Sequence, residues 1–246
     1  MTTTPRLADF EHRATYAHSD GRDAWLVRAI GAWMDSILPP LLGSVARGPV
    51  LDVGCGEQPF RRAVVASGCR YVGLDVVQNA AGTVDALGAI DALPDPWPLA
   101  DARYPLVLCT EVLEHVSQIE TAFANLRRLT APSGAVVVTT PFMFPLHMEP
   151  FDYRRLTVHG LERLAVANRF RIERLDRLGT PAHAAATLLA DLSILPTRRS
   201  VRARARVATL RTAVRAGIRA LARVRDDVVI NGNAYLGNGA VLRAES

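Results

Sequence analysis

Residues 49–60, PVLDVGCGEQPF, decide the fold. Val50, Leu51 and Val53 form a short apolar run of the kind found in a strand buried on both faces. Gly54-Cys55-Gly56 then makes a tight turn. A helix is predicted to begin near Pro59, because a proline in the first turn lacks only an N–H that has no intrahelical partner. Strand, glycine turn and helix compose the first crossover of a doubly wound sheet, whose ligands bind at the carboxyl ends of the strands. Residues without a Cβ let such a ligand approach the backbone. A glycine pair alone marks many loops, and the departure from the dinucleotide fingerprint is what informs. Pro59 stands where the third glycine would let helix and strand pack beside a pyrophosphate, and Glu57 would repel a phosphate. The turn therefore suits a nucleoside without phosphates, which points to S-adenosylmethionine rather than NAD.

Outward from this turn the chain alternates strands and helices. Asp23 to Leu42 carries Trp25, Leu26, Ile30, Trp33, Met34 and Leu38 at helical spacing, and Pro39-Pro40 is predicted to end that helix. It reads as a core-packing helix, with a lid over the cleft as the alternative. Phe60 to Ser67 continues as a helix, and Tyr71 to Val76, YVGLDV, is a second buried strand with Asp75 at its end. An acid there accepts hydrogen bonds from ribose hydroxyls in doubly wound sheets. Further strands are predicted at Thr83–Ile90, Tyr104–Thr110, Ala135–Thr139 and Arg171–Leu178, with helices at Ile119–Leu129 and Val158–Phe170 and a turn at Pro132-Ser133-Gly134. A last strand, Ala234–Ala244, is expected to run antiparallel, with Gly237-Asn238-Gly239 as a bend or bulge. This alternation gives a parallel α/β sheet.

The chain of 246 residues is 49% hydrophobic, enough for one sizeable core. Cys55, Cys69 and Cys109 lack metal-ligand spacing and read as reduced core thiols, and no metal is expected. MTTTPRLADFEHR has no apolar stretch of a secretory signal, and no run of eighteen apolar residues suggests a spanning helix. A cytoplasmic location is the expectation. All basic residues are arginines, and ten of the 29 fall between Arg198 and Arg225 without an acid among them; the rest of the chain has 19 arginines against 24 acids. The basicity is thus one local patch.

VLDVGCG, YVGLDV, DALP and VLCTEVLEHV together resemble the class I S-adenosylmethionine-dependent methyltransferases, in particular the small-molecule branch with VLEHV after the fourth strand. The likeness covers roughly residues 45–178. A second stretch, PFMFPLHMEPFDYRRLTVHGLERL, resembles a subgroup linked to polysaccharide, glycolipid or other surface-glycan biosynthesis. The resemblance implies a doubly wound, Rossmann-like α/β sheet of seven strands, mostly parallel with one antiparallel strand, plus a helical insertion before the last strand. The whole chain, 1–246, then forms a single domain: a helical segment (1–48), a cofactor-binding core (49–178), a basic helical insertion (180–230) and the last strand (231–246).

The resemblance also implies roles. Asp52, Gly54, Cys55 and Gly56 would hold the methionine part of S-adenosylmethionine, with Asp52 reaching its ammonium directly or through water. Asp75 would take the ribose hydroxyls and Val76 would pack on adenine. The family's usual acid two residues before Asp91 is Ala89 here, so either Asp91 substitutes or the backbone of Ile90–Leu93, Ala92 included, meets the adenine amine. Thr110 and Glu111 would line the sulfonium end, where a carboxylate suits a cation. Glu114 and His115 read equally as that cleft's lining or as the cap of a helix start.

Methyl transfer is an in-line displacement for which alignment supplies about 7–11 kcal/mol, and a hydroxyl acceptor needs a base worth about 10²–10⁴-fold. His147 is the candidate base, at an unperturbed pKa of about 6.5. Asp152 would orient it or bind a sugar hydroxyl, and Arg155 would hold an anionic or polar substrate group. The competing reading makes Asp152–Arg155 a structural ion pair. CTEV after the fourth strand is not the turn that holds an amino group in adenine or glutamine methyltransferases, so oxygen is the default acceptor. The substrate expected is a small molecule, sugar or glycolipid. A non-catalytic scaffold of the same fold is the alternative, and RNA methylation a weaker one.

Val201–Val224 sets Val207, Leu210, Val214, Ile218 and Leu221 on one face and Arg211, Arg215, Arg219 and Arg223 on another. It reads as a helix covering the sheet edge with a solvated arginine side, or as a basic helix lying on an anionic membrane at the inner face. Nucleic acid is a poor partner, because no aromatic residues interleave with the arginines to stack bases.

Overall fold

The computed structural model describes residues 16, 23–45, 47–92, 99, 103–192, 201–222 and 232–245. In chain order the elements are α1 (Ala24–Ser44), β1 (Pro49–Val53), α2 (Arg61–Ala66), β2 (Arg70–Asp75), β3 (Ala86–Leu87), β4 (Tyr104–Thr110), α3 (Ile119–Leu129), β5 (Thr130–Pro141), α4 (Val158–Ala167), β6 (Phe170–Leu178), α5 (Pro181–Asp191), α6 (Val201–Ala222) and β7 (Gly237–Ala244). They build one seven-stranded sheet in the order β3-β2-β1-β4-β5-β7-β6. All neighbours are parallel except β7, which is antiparallel to both β5 and β6. The Rossmann-like sheet with one antiparallel strand is therefore the one expected. The order reverses between β1 and β4, which is where such sheets open their ligand crevice.

Two apolar layers cover the sheet. On one face α1 packs Ile30, Trp33, Met34, Ile37 and Leu38 with Val50, Leu106, Leu108, Val137 and Val241. On the other, Phe123, Leu126 and Leu129 of α3 and Leu161 and Ala165 of α4 meet Leu51, Val107, Val136 and Leu242. α1 is thus the core helix, not the lid. Trp33 fixes it to the sheet, because its Nε1–H donates to Asp176 Oδ2 at 2.7 Å. A Cβ at Gly239 would stand 2.7 Å from the Trp33 ring, so the missing side chain makes room for the indole.

Several local expectations are corrected. α1 runs through Pro39 and Pro40 to Ser44. Each proline removes one backbone hydrogen bond, but burial of Leu41 and Leu42 against the core holds the last turns in place. The third strand shrinks to Ala86–Leu87 on the sheet edge. Pro132–Gly134 lies within β5, where the pairing with β4 slips between Tyr104 and Leu106. Gly237–Gly239 is regular strand paired on both sides; the irregularity sits in β6, between Ile172 and Arg174. The helical insertion is present as α5 and α6. Residues 1–15 and 17–22 of the N-terminal segment, 93–98 after the third strand and 223–231 of the insertion fall outside the described residues.

Candidate active site

Four strand ends converge at the β1/β4 reversal. After β1, Gly54 and Gly56 take positive φ values of +66° and +49°. Such backbone favours glycine, and the space does too: a Cβ on Gly54 would meet Val112 Cγ2 at 2.3 Å. Val112 arrives there because Glu111, at φ +54°, turns the chain sharply at the end of β4. The Glu111 N–H donates to the backbone oxygen of Thr139 at 3.1 Å and to its Oγ1 at 3.2 Å, so β5 holds this kink. Thr110, just before it, is buried.

The glycine turn is bound to the end of β2. Asp75, 6% exposed, accepts from Gly56 N at 2.8 Å through Oδ2 and from Val76 N at 2.7 Å through Oδ1. Gly54 N and Cys55 N both donate to Leu74 O. A buried set that local sequence did not disclose clamps the same turn: Asn79 Nδ2 donates to Gly56 O at 3.0 Å, and Gln58 Nε2 donates to Thr83 O at 2.8 Å. Cys55 is buried against Gly73, and burial pushes its thiol pKa far up. Asp52 lies beneath the turn, 1% exposed, accepting from Tyr71 Oη at 2.6 Å. Burial, opposed by that hydrogen bond and reinforced by nearby Asp75, raises its pKa to about 7.

Beyond β3 the structure gives Asp91 a definite job. Its Oδ2 accepts from Ser117 N, Ser117 Oγ and Gln118 N at 2.8, 3.0 and 3.0 Å, capping the approach to α3. Ile90 O accepts from Asn125 Nδ2 at 2.7 Å, and Ala92 N donates to Ala89 O at 3.1 Å. The 89–92 turn is therefore rigidly placed beside the cleft.

The opposite wall is a buried polar cluster. Arg155 donates to both oxygens of Asp152, at 2.5 and 2.7 Å, and to the carbonyls of Phe144, Pro145 and Arg154. These contacts occupy all five guanidinium N–H groups, so Arg155 shapes the loop after β5 and has no donor left for a substrate. The expected anion-holding role is corrected on that ground, and the ion-pair reading describes the geometry. Asp152 also accepts from His147 N at 3.0 Å, which holds the backbone there, and its Oδ2 lies 3.1 Å from the ring's Nδ1 without hydrogen-bond geometry. Burial and the facing His115 lower the His147 pKa to about 4, well below the 6.5 of a free imidazole. The ring is neutral at pH 7 and a weak base.

Glu114 and His115 complete the cluster. They stand in the turn between β4 and α3, not in the cap of a helix. His115 Nδ1 is 2.8 Å from Phe151 O, and its ring packs edge-on against His147 with centroids 4.8 Å apart. Glu114 is 1% exposed, and neither carboxylate oxygen has a hydrogen-bond partner. Burial, then the charge of Glu111, raises its pKa well above the carboxylate range. Sequence spacing places Glu114 beside His115 but cannot bring either to His147, because the contact joins two different strand ends.

A methyltransferase-domain family profile matches residues 26–179, and the chain belongs to that family. An uncharacterized methyltransferase of Mycobacterium ulcerans is 35% identical over 102 residues, 39% of this chain and 40% of that protein. A ubiquinone biosynthesis O-methyltransferase of Methylococcus capsulatus is 30% identical over 109 residues, covering 39% and 45%. The chain thus spans less than half the length of these curated relatives. A SAM-dependent methyltransferase from Archaeoglobus fulgidus shares the fold at a TM-score of 0.54 and 14% identity, over 88% of this chain and 93% of that one.

Proposed function

We propose that the protein transfers a methyl group from S-adenosylmethionine to a hydroxyl of a small molecule. The observation that carries this reading is the pairing of two walls across one strand reversal: a side-chain-free turn bonded to Asp75, and a buried cluster rich in carboxylates. The residues present fit the cofactor. Gly54 and Gly56, at positive φ, give a turn whose backbone carries no side chains on the cleft side of β1, Asp75 offers acceptor-only oxygens to a diol, and Glu111 supplies negative charge toward a sulfonium. Val76 and the 89–92 turn bound the adenine side, while Asp52 supports the methionine end from below. When bound, the cofactor supplies a methyl carbon already activated by a sulfonium.

The chain's own contribution is alignment and exclusion of water. With the cofactor held there, the acceptor oxygen would bond to the methyl carbon as the C–S bond broke with its electron pair passing to sulfur, and the hydroxyl proton would leave toward His147. Asp152 holds the backbone of that residue. A sugar or glycolipid hydroxyl is the finer assignment, supported by the polar wall of the 141–157 loop. The similarity to O-methyltransferases of ubiquinone biosynthesis supports an oxygen acceptor on a small molecule. Peripheral attachment to an anionic membrane through α6 belongs to the same reading, as a route to a lipid-linked acceptor.

The test is transfer of labelled methyl from S-adenosylmethionine into fractions of a cell extract, with wild type and Asp75→Ala compared, and calorimetry of cofactor binding beside it. Label should enter a low-molecular-mass or lipid-extractable product with wild type and not with the variant. Absence of cofactor binding at millimolar concentration would leave a non-catalytic scaffold as the better account.

A further inference from the structure

We infer that Glu114, His115 and His147 form a site for one first-row divalent metal ion, set on the acceptor side of the cleft. One ligand atom from each residue falls within 4.8 Å of the others. Glu114 Oε1 is 3.7 Å from His115 Nε2 and 3.9 Å from His147 Nε2. These separations are too long for hydrogen bonds. Donors about 2.1 Å from a shared ion stand roughly 3.0–3.5 Å apart, so each Glu114–histidine pair is a few tenths of an ångström too long, and side-chain rotation of about an ångström brings the widest pair, within 4.8 Å, to ligating distance.

The second, independent observation is the state of Glu114. It is 1% exposed with both oxygens lacking a hydrogen-bond partner, an arrangement that is costly unless a cation meets the carboxylate. Arg155 cannot serve, since its donors are taken by Asp152 and three carbonyls. The histidines are prepared as ligands. A carbonyl only accepts, so the contact of His115 Nδ1 with Phe151 O puts the proton on Nδ1 and the lone pair on Nε2, toward Glu114. His147 turns Nε2 toward Glu114, and Asp152 Oδ2 lies 3.1 Å from its Nδ1, so a small ring rotation makes the carboxylate–histidine contact that orients a ligating ring.

Two nitrogens and one oxygen favour zinc, manganese or iron over calcium or magnesium. Three protein ligands leave coordination positions open. What the ion does there rests on the proposed hydroxyl methylation: bound to the acceptor oxygen, a divalent cation lowers the pKa of the hydroxyl. With the ion bound the His147 lone pair is engaged, so the acidified hydroxyl releases its proton to solvent and no imidazole base is needed.

Tag-free protein, dialysed against metal-depleted buffer, is titrated separately with Zn²⁺, Mn²⁺ and Co²⁺ by calorimetry. Co²⁺ absorption and elemental analysis of the Zn²⁺-loaded protein serve as direct readouts. Wild type should take up one equivalent and develop ligand-field bands. Glu114→Gln, which keeps the shape, and His115→Ala should each lose that equivalent, and Asp152→Asn should weaken it about 10–100-fold. Asp75→Asn should retain it, and calorimetry with S-adenosylhomocysteine on each protein reports the cofactor site separately. Substoichiometric metal in wild type, or wild-type uptake by both Glu114→Gln and His115→Ala with cofactor binding intact, would overturn the site. Loss of cofactor binding with metal uptake unchanged would count against the methyltransferase reading alone.

Discussion

Asp52 illustrates how one residue is set by its surroundings. It sits under the glycine turn with its pKa raised to about 7, chiefly by burial, although Tyr71 donates to it. A carboxyl whose pKa is higher folded than unfolded binds more protons in the native state, so its contribution to stability is complete below about pH 4 and is lost as pH rises toward 7. Each unit by which the two states differ is worth about 1.4 kcal/mol. Asp52→Asn keeps an acceptor for Tyr71 and removes the titration. In cofactor-free protein, the stability of Asp52→Asn relative to wild type should therefore grow by on the order of 3–4 kcal/mol between pH 4 and pH 8 and then level off. Urea unfolding at a series of pH values measures this, and a pH-independent difference would refute it. Asp52, Gly54, Gly56 and Asp75 were legible in the sequence because strand, turn and strand end are local patterns. One contact of Asp91 was not legible: its Oδ2 is bound to Ser117 and Gln118 across 26 and 27 positions of chain, a partnership that local sequence does not disclose. Glu114 escaped for the same reason, since its significance depends on His147, which comes from the loop after another strand.

At the scale of elements, α1 and α6 show opposite relations between sequence and packing. Propensity alone ends α1 at Pro39, yet a helix whose face is pressed into the core outlasts two prolines because burial outweighs the lost hydrogen bonds. α6 has the reverse character. Its register was readable, but among the described residues none of its side chains is fully buried, and Leu210 is 52% exposed. Arg204, Arg206, Arg211, Arg215 and Arg219 are exposed along it. It packs on α5, which leaves Leu188 exposed at 43%, with Leu192 just beyond its end exposed at 57%. No helix among the described residues is long and apolar enough to cross a membrane. A half-exposed apolar face with arginines around it is the composition of an interfacial helix, and each arginine near an anionic surface contributes about 1 kcal/mol at physiological ionic strength. Wild type should therefore sediment with phosphatidylserine- or phosphatidylglycerol-containing vesicles at low salt and release as salt rises. Replacing Arg211, Arg215 and Arg219 together by Gln should abolish sedimentation while leaving S-adenosylhomocysteine binding unchanged. Binding to neutral vesicles equally well would rule out the electrostatic part.

For the molecule as a whole, the proposed cofactor touches the ends of β1, β2 and β4, together with the turn that leads into α3. These pieces come from successive crossovers, and each of the two apolar layers supports some of them. A ligand that bridges them acts on the cooperative unit rather than on one loop, so its binding energy should appear in global unfolding. Saturation at 100 times Kd adds about 2.7 kcal/mol to a state that alone binds the ligand. For a chain in the 150–250-residue range each kcal/mol moves Tm by about 2–4 °C. S-adenosylhomocysteine at that excess should raise Tm by roughly 5–10 °C. Asp75→Ala should lose most of this rise, because Asp75 is bonded to the glycine turn and is also the proposed ribose acceptor. Glu114→Gln should keep it, since Glu114 belongs to the acceptor wall. A rise of the same size in Asp75→Ala would place the nucleoside elsewhere in the crevice. A rise lost equally in both variants would mean that the two walls fold as one site, and that the division of labour between β2 and the β4–α3 turn is wrong.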